Sequence, residues 1–375
     1  MKPHVLISGA GVAGLATAYW LSRFGFRSTV VEHAASLRNG GQAVDVRGAA
    51  VEVLRAMRLE ALVRARRTRQ RGSSLLDRDG RELHRDETRT FSGGRLDSGD
   101  IEIFRDDLCT LLGHALAARA ELRLGESITA LVDDGQGITA RFSNGTHGRF
   151  DLVIGADGVY SNVRRLVIDP CDACLQPLGV AMALFTAPNL PRLDHWEWMY
   201  RDATLGWVAY PTTDNAELRV GVGFASDPAA APRGDVAAQQ AYTLAQCAHL
   251  GGDMARLMAT LPQTPRFHYD ELAQVHLPRW SSGRVVLVGD AACCASPFSG
   301  QGTSLALVGA FVLARELARS VQQPAEAFAR YEARMRPFVL LNQALVDVSR
   351  QGPVPEAQME RAKHGIALDD LPSAA

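Results

Sequence analysis

Apolar and polar positions along the chain follow two periods, and the switches between them mark out the elements. Residues 4–8 (HVLIS) form a short β-rich apolar run. Glycines 9, 11 and 14 follow it, and Leu15, Ala16, Ala18, Tyr19, Trp20 and Leu21 then recur at helical spacing until Gly25. A second strand over 28–31 ends on Glu32. A turn at 38–42 leads to a strand over 43–47 and a helix carrying Val51, Leu54, Met57 and Leu59. Residues 72–98 read as a hairpin turning at Asp79-Gly80, followed by a polar loop. Strands at 101–104, 121–124, 128–132, 138–142 and 152–154 follow, with a helix opening at Arg105. Period-two alternation over 175–225, two helical stretches and a strand at 267–275 predict a large, mostly antiparallel sheet with helices on one side. A strand over 284–288, an apolar helix over 303–319 and a long helix from Pro324 to about Arg350 come next. Residues 351–375 read as a short helix and a frayed tail.

The pattern predicts an α/β protein, with a Rossmann-like nucleotide-binding domain interleaved with a mostly antiparallel sheet domain, plus a long C-terminal helix. Composition narrows the class without changing it. With 375 residues, 47% hydrophobic and 22% charged, the chain matches an ordinary soluble protein and excludes a disordered tail, a collagen-like repeat or a disulfide scaffold. The 40 basic and 41 acidic residues leave a net charge of −1, so no global field favours a nucleic acid. Arg64, Arg66, Arg67, Arg69 and Arg71 form a basic run that reads as a solvated helix end. No apolar run reaches the roughly 20 residues that span a bilayer, and the N-terminus lacks a leader pattern. A cytoplasmic monomer with no membrane partner is expected. Cys171 and Cys174 form an isolated CxxC pair, and the ten histidines include no HExxH, so no metal is expected.

The first 32 residues carry the clearest chemistry. Strand, GxGxxG, helix, strand and acid make a complete βαβ dinucleotide fingerprint. Gly9 permits the tight turn, Gly11 lets the backbone approach a pyrophosphate, and Gly14 lets helix and strand pack closely, with Ala13 between them. The helix start offers free N–H groups to the phosphates, and Glu32 offers a carboxylate to ribose hydroxyls. Later, the strand over 284–288 runs into Gly289-Asp290. Asp290 reads either as a helix N-cap or as a carboxylate bound to a polyol. Gly300-Gln301-Gly302 then opens a helix whose dipole would stabilise negative charge on a ring. Cys293-Cys294 read as buried small residues, because adjacent cysteines pair only with strain.

Together, Gly9–Gly14 with Glu32, Gly155-Ala156-Asp157-Gly158 with Ser161, Val163 and Arg164, and Gly289-Asp290-Ala291 with Pro297 through Gly302 resemble a known family. The chain is similar to class A FAD-dependent aromatic hydroxylases of the para-hydroxybenzoate hydroxylase fold, and within them to tetracycline-inactivating and polyketide-tailoring monooxygenases. The resemblance covers about the first 320 residues. It implies an FAD-binding domain at 1–72, 99–172 and 267–322, a substrate-binding domain at 73–98 and 173–266, and a C-terminal helix and tail at 323–375. It also implies that Glu32 binds the adenosine ribose, Arg105 contacts the ribityl-phosphate region and Asp290 binds the ribityl chain. By the same resemblance Pro297, Gly300, Gln301 and Gly302 lie against the isoalloxazine, Arg47 lies near it, and Asp157-Gly158 serves FAD and the nicotinamide donor. The family's Ala-x-Glu-Asp pattern after the last glycine is replaced by Ala306-Leu307-Val308-Gly309.

The activity implied is monooxygenation of an electron-rich aromatic or polyketide-like small molecule, with a tetracycline-type antibiotic as one case. NADPH or NADH would serve as transient donor, and O2 would react through a C4a-hydroperoxyflavin. Only one complete GxGxxG is present, which fits a donor that binds and leaves. No protein nucleophile is required, since the flavin carries the chemistry. The aromatic-rich stretch 185–224 reads either as sheet core or as a pocket wall. The pocket reading takes Trp198, Trp207, Tyr210 and Phe224 together with Pro297 and Phe298. An FAD reductase or oxidase on the same fold, and a flavin-loaded binding protein without turnover, are the alternatives.

Overall fold

A computed structural model describes residues 3–37, 41–90, 94–116, 119–168, 174–350 and 352–372. Residues 38–40 of the turn predicted at 38–42, and Cys171, lie outside these residues. A six-stranded sheet runs in the order Ser281–Ser282, Val285–Leu287, Leu152–Gly155, His4–Ser8, Arg27–Glu32, Glu121–Leu124. Its neighbours are parallel except the first pair. Val5, Leu6 and Ile7 have no exposed surface, as expected for a parallel strand covered on both faces. Helices Val12–Arg23 and Gly302–Arg319 pack together, with Trp20 edge-on to Phe311 at 5.0 Å between centroids. Each fully buried leucine or isoleucine here contributes roughly 2 kcal/mol.

A seven-stranded sheet forms the second body, in the order Phe267–Val275, Leu175–Pro188, Glu217–Ala225, Leu205–Pro211, Glu197–Arg201, Ser73–Leu76, Glu82–Asp86. All its pairs are antiparallel except Glu197–Arg201 with Ser73–Leu76. The hairpin predicted in 72–98 therefore extends this sheet's edge. The strand Phe267–Val275 also belongs to it, through its ladder with Leu175–Pro188. The expected start of the last FAD-domain segment at 267 thus moves beyond Val275, because alternation alone does not tell which sheet a strand joins. Helices Val236–Gln246 and Gly252–Met258 accompany this sheet. Two smaller antiparallel sheets complete the strands. One pairs Ala43–Val46 with Ile101–Phe104, and the other joins His147–Phe150, Ile138–Phe142 and Ile128–Asp133.

Three helix expectations change. The helix expected around 51–59 is two, Ala49–Ala56 and Glu60–Ala65, broken at Arg58 with φ 62°. The helix from Pro324 ends at Gln343, whose side-chain amide donates to Val275 O and Cys294 O and ties the helix end to the sheet. The short helix expected within 351–375 is present, and it is packed on the protein and not frayed. Helix Glu356–Lys363 is docked, with Ala362 and Lys363 buried. Among the described residues no helix is long and apolar enough to cross a membrane.

Candidate functional site

The glycines of the first turn divide into two kinds. Gly9 has φ 104°, and a Cβ there would lie 2.5 Å from Ala156 O. A Cβ on Gly14 would lie 1.9 Å from Gly9 O. Both positions hold strand, turn and helix in contact. Gly11 is different: a Cβ there would meet nothing within 4 Å. It precedes helix Val12–Arg23, which no side chain caps, so the turn presents open space beside an uncapped helix start. Glu32, at the end of the neighbouring strand, accepts from Ala10 N at 2.9 Å and Ala34 N at 3.0 Å. Its carboxylate is thereby fixed beside the same turn. Ala13 packs on the third motif, since a Cβ on Gly289 (φ 65°) would lie 2.7 Å from the Ala13 Cβ.

The Asp157 motif is built inward. The Asp157 carboxylate accepts from Ser161 Oγ and from Val163 N, the latter at 3.0 Å. Burial pushes its pKa up, and these hydrogen bonds oppose the rise. Its side chain therefore braces the start of helix Asn162–Val167. Gly158 (φ 84°) faces open space, since a Cβ there would meet nothing within 4 Å. Arg164, buried, donates to Ala291 O at 2.9 Å and Val159 O at 2.7 Å, and so ties this motif to Gly289-Asp290-Ala291.

Asp290 has an exposed side chain at the carboxyl end of the central sheet. Protein crowded around it pushes its pKa up, while the positive charge of Arg105 acts the other way. A Cβ on Gly302 would lie 3.9 Å from Asp290 Oδ1, so Gly289-Asp290 and Gly300-Gln301-Gly302 meet at this carboxylate. Asp290 is the first residue of helix Asp290–Cys293 and follows the cap residue Gly289, which decides against the N-cap reading. The connection to the next helix holds Ser296 at φ 71° and Gly300 in the left-handed region at φ 63°. A non-glycine residue in that region costs about 1–3 kcal/mol and is held there by its surroundings. Pro297 and Phe298 are exposed. Gln301 is fully buried and caps helix Gly302–Arg319 without a side-chain bond to its N–H groups. Gln301 Oε1 has no hydrogen-bond partner among the described residues. Arg47 is buried, pairs with Asp45 at 2.8 Å, and lies 3.2 Å from the position of a Cβ on Gly300.

The expected pocket wall is largely on the wrong face. Leu205, Trp207 and Ala209, with Leu218, Val220, Val222 and Phe224, join one core cluster with Met254, Leu257 and Met258 of the covering helix, and Trp198 packs against it. Trp207 and Phe224 are therefore sheet-to-helix core. Tyr210 points the other way, against Phe104 and Val208, but it is buried and its hydroxyl accepts from Ala43 N at 3.1 Å. Val208, Met199 and Tyr210 belong to the face that meets strands Ala43–Val46 and Ile101–Phe104. A Cβ on Gly221 would contact Val208 and Leu184 on that face. Leu184 and Val208 escape the sequence reading, which singles out Met199 and the aromatic positions of 185–224, most of them on the opposite face. The residue parity along each strand carries the missing signal. Cys293 and Cys294 are buried and free, and burial pushes both thiols well up, away from redox-active thiolates.

A family model for an FAD binding domain matches residues 2–347. The chain is 44% identical over 369 residues to an uncharacterized protein of Mycobacterium tuberculosis, covering 98% of this chain and 99% of that one. It is 36% identical over 340 residues to a flavin-dependent monooxygenase of Legionella longbeachae, covering 90% and 86% of the two chains. Among solved structures it is similar to the tetracycline destructase Tet(55), with a TM-score of 0.87 at 32% identity over 99% of this chain and 98% of that one.

Proposed function

Because this chain belongs to the FAD-binding-domain family of flavin-dependent monooxygenases, we propose that it uses NAD(P)H and O2 to hydroxylate an electron-rich aromatic or polyketide-like small molecule. A tetracycline-type compound is the first substrate to try, given the similarity to a tetracycline destructase. One observation carries the reading. At the carboxyl end of one parallel sheet, an open glycine turn, an exposed carboxylate and an uncapped helix start converge. These features fit FAD. Gly11 leaves room that a pyrophosphate would fill, and the unpartnered Gln301 Oε1 calls for a donor.

When bound, FAD supplies electron transfer from the nicotinamide and the activation of O2. The chain supplies the rest. Glu32, already held by two backbone N–H groups, keeps lone pairs for ribose hydroxyls. Helix Val12–Arg23 turns its positive end to the phosphates, with Arg105 as a further cation in the crevice. Asp290 accepts from the ribityl hydroxyls. Helix Gly302–Arg319 offers its uncapped N–H groups to a ring edge that gains negative charge. Pro297, Phe298, Leu184 and Met199 provide apolar surface that orients the substrate and keeps water from the reacting atoms.

Reconstitution with FAD tests the reading. Yellow holoprotein that oxidises NAD(P)H faster when a phenol, polyketide or tetracycline is present, with a product one oxygen atom heavier, is the expected result. Protein that takes up no FAD contradicts it, and donor consumption without a heavier product assigns the chain to the reductases or oxidases.

A further inference from the structure

Helix Glu356–Lys363 (EAQMERAK) is polar, yet it is held firmly against the site. Glu356 pairs with Arg89 at 2.8 Å, and Lys363 pairs with Asp100 at 3.1 Å. The Lys363 carbonyl presses on Gly48, where a Cβ would lie only 2.3 Å from it at φ 54°. Between these anchors Met359 turns its sulfur toward the first-turn machinery of helix Gly302–Arg319. Gln301 Nε2 donates to Met359 Sδ at 3.0 Å, and Arg47 Nη1 donates to it at 3.5 Å. Asp45 holds the other side of the Arg47 guanidinium at 2.8 Å.

This contact gives the Gln301 carboxamide a sense. An N–H directed at a sulfur lone pair is favourable, whereas the flipped amide would set its oxygen lone pairs against the sulfur. With Nε2 so engaged, Oε1 is left as a buried acceptor with no partner among the described residues. Such a group is costly unless a donor meets it. We propose that Met359 is a positioning residue of the cofactor site, whose thioether fixes the Gln301 carboxamide so that Oε1 accepts from an N–H or O–H group of the bound cofactor. The proposal rests on the FAD reading above. It makes the C-terminal helix a part of the cofactor site, although no motif of the N-terminal 320 residues includes it.

A double-mutant cycle on full-length protein tests it, read as FAD affinity by flavin fluorescence titration and as the position of the flavin visible band. Met359→Leu keeps the apolar shape and removes the acceptor, and it is expected to weaken FAD by about two- to tenfold and to shift the band. Met359→Gln, which restores an acceptor, is expected to recover most of the affinity. In a Gln301→Ala background the Met359→Leu change is expected to have no further effect. The apoprotein melting temperature of Met359→Leu should stay close to wild type. Unchanged affinity and band in Met359→Leu overturns the proposal, and so do additive effects with Gln301→Ala. If Met359→Leu does not fold and Met359→Gln binds no better, the residue is core packing and the proposal falls. A wild-type chain that takes up no FAD contradicts the reading of the crevice, which is a separate result.

Discussion

Gly11 and Gly14 sit in one turn but answer to different constraints. Gly14 is enclosed, so Gly14→Ala drives a Cβ into Gly9 O and should destabilise the apoprotein by about 2–3 kcal/mol or prevent folding. Gly11→Ala meets open space at an ordinary backbone angle (φ −78°), so the apoprotein should melt as wild type. Its Cβ would occupy the approach of the pyrophosphate, and FAD affinity should fall about tenfold or more by titration. Equal melting and equal FAD affinity in Gly11→Ala would remove the glycine turn from the cofactor site. Both glycines are legible as a motif, because a motif records spacing. The same motif assigns Gly11 to the pyrophosphate and Gly14 to helix–strand packing; what spacing does not carry is the contact of Gly9 with Ala156 O, a residue brought close only by strand pairing. Asp157 also belongs to a recognisable motif, but that its carboxylate accepts from Ser161 and Val163 and braces the next helix is seen only in the fold.

At the scale of elements, period-two alternation is enough to predict the large sheet but not to orient it. Both faces of strands Leu205–Pro211 and Glu217–Ala225 are apolar or covered, so the pattern does not say which parity faces the crevice. Packing of Met254, Leu257 and Met258 on Trp207 and Phe224 decides it. Phe224→Ala should therefore cost about 3–4 kcal/mol in urea unfolding and leave KM for the substrate unchanged. Leu184→Phe, on the opposite face beside Val208 and Gly221, should change KM by about tenfold with little loss of stability. A large KM effect from Phe224→Ala with none from Leu184→Phe would reverse the assignment of faces. A short helix is expected within 351–375, but the docking of helix Glu356–Lys363 is not legible, for a related reason. It lacks an apolar stripe, and ion pairs with distant partners such as Arg89 and Asp100 leave no periodic trace.

Across the whole molecule, the tail is clamped to the site helix by charge. Glu316, almost fully buried in helix Gly302–Arg319, pairs with Arg319, Arg330 and Arg334, at 2.7 Å for Arg334. Asp370 pairs with Arg334 at 3.0 Å and Arg319 at 3.1 Å. Burial alone would raise both carboxyl pKa values, but hydrogen bonds and charge from these arginines outweigh it and hold both below the ordinary range. A depressed folded-state pKa contributes stability that is present above the unfolded pKa and is lost as pH falls through the folded value. Stability should thus decline from neutral pH towards about pH 3, and less steeply in Glu316→Gln, which should itself cost about 2 kcal/mol at neutral pH. Parallel decline in wild type and variant would show that this network does not drive the acid sensitivity. The network joins the C-terminal end to the helix whose other end faces the crevice, so the chain is organised around one site. The most direct test of that site's activity is turnover under isotopically labelled O2 with FAD-loaded protein, NAD(P)H and the best substrate from the panel. One labelled oxygen atom in each product molecule, matched by one donor oxidised, is the predicted result; product without label, or donor oxidation that no substrate accelerates, would contradict it.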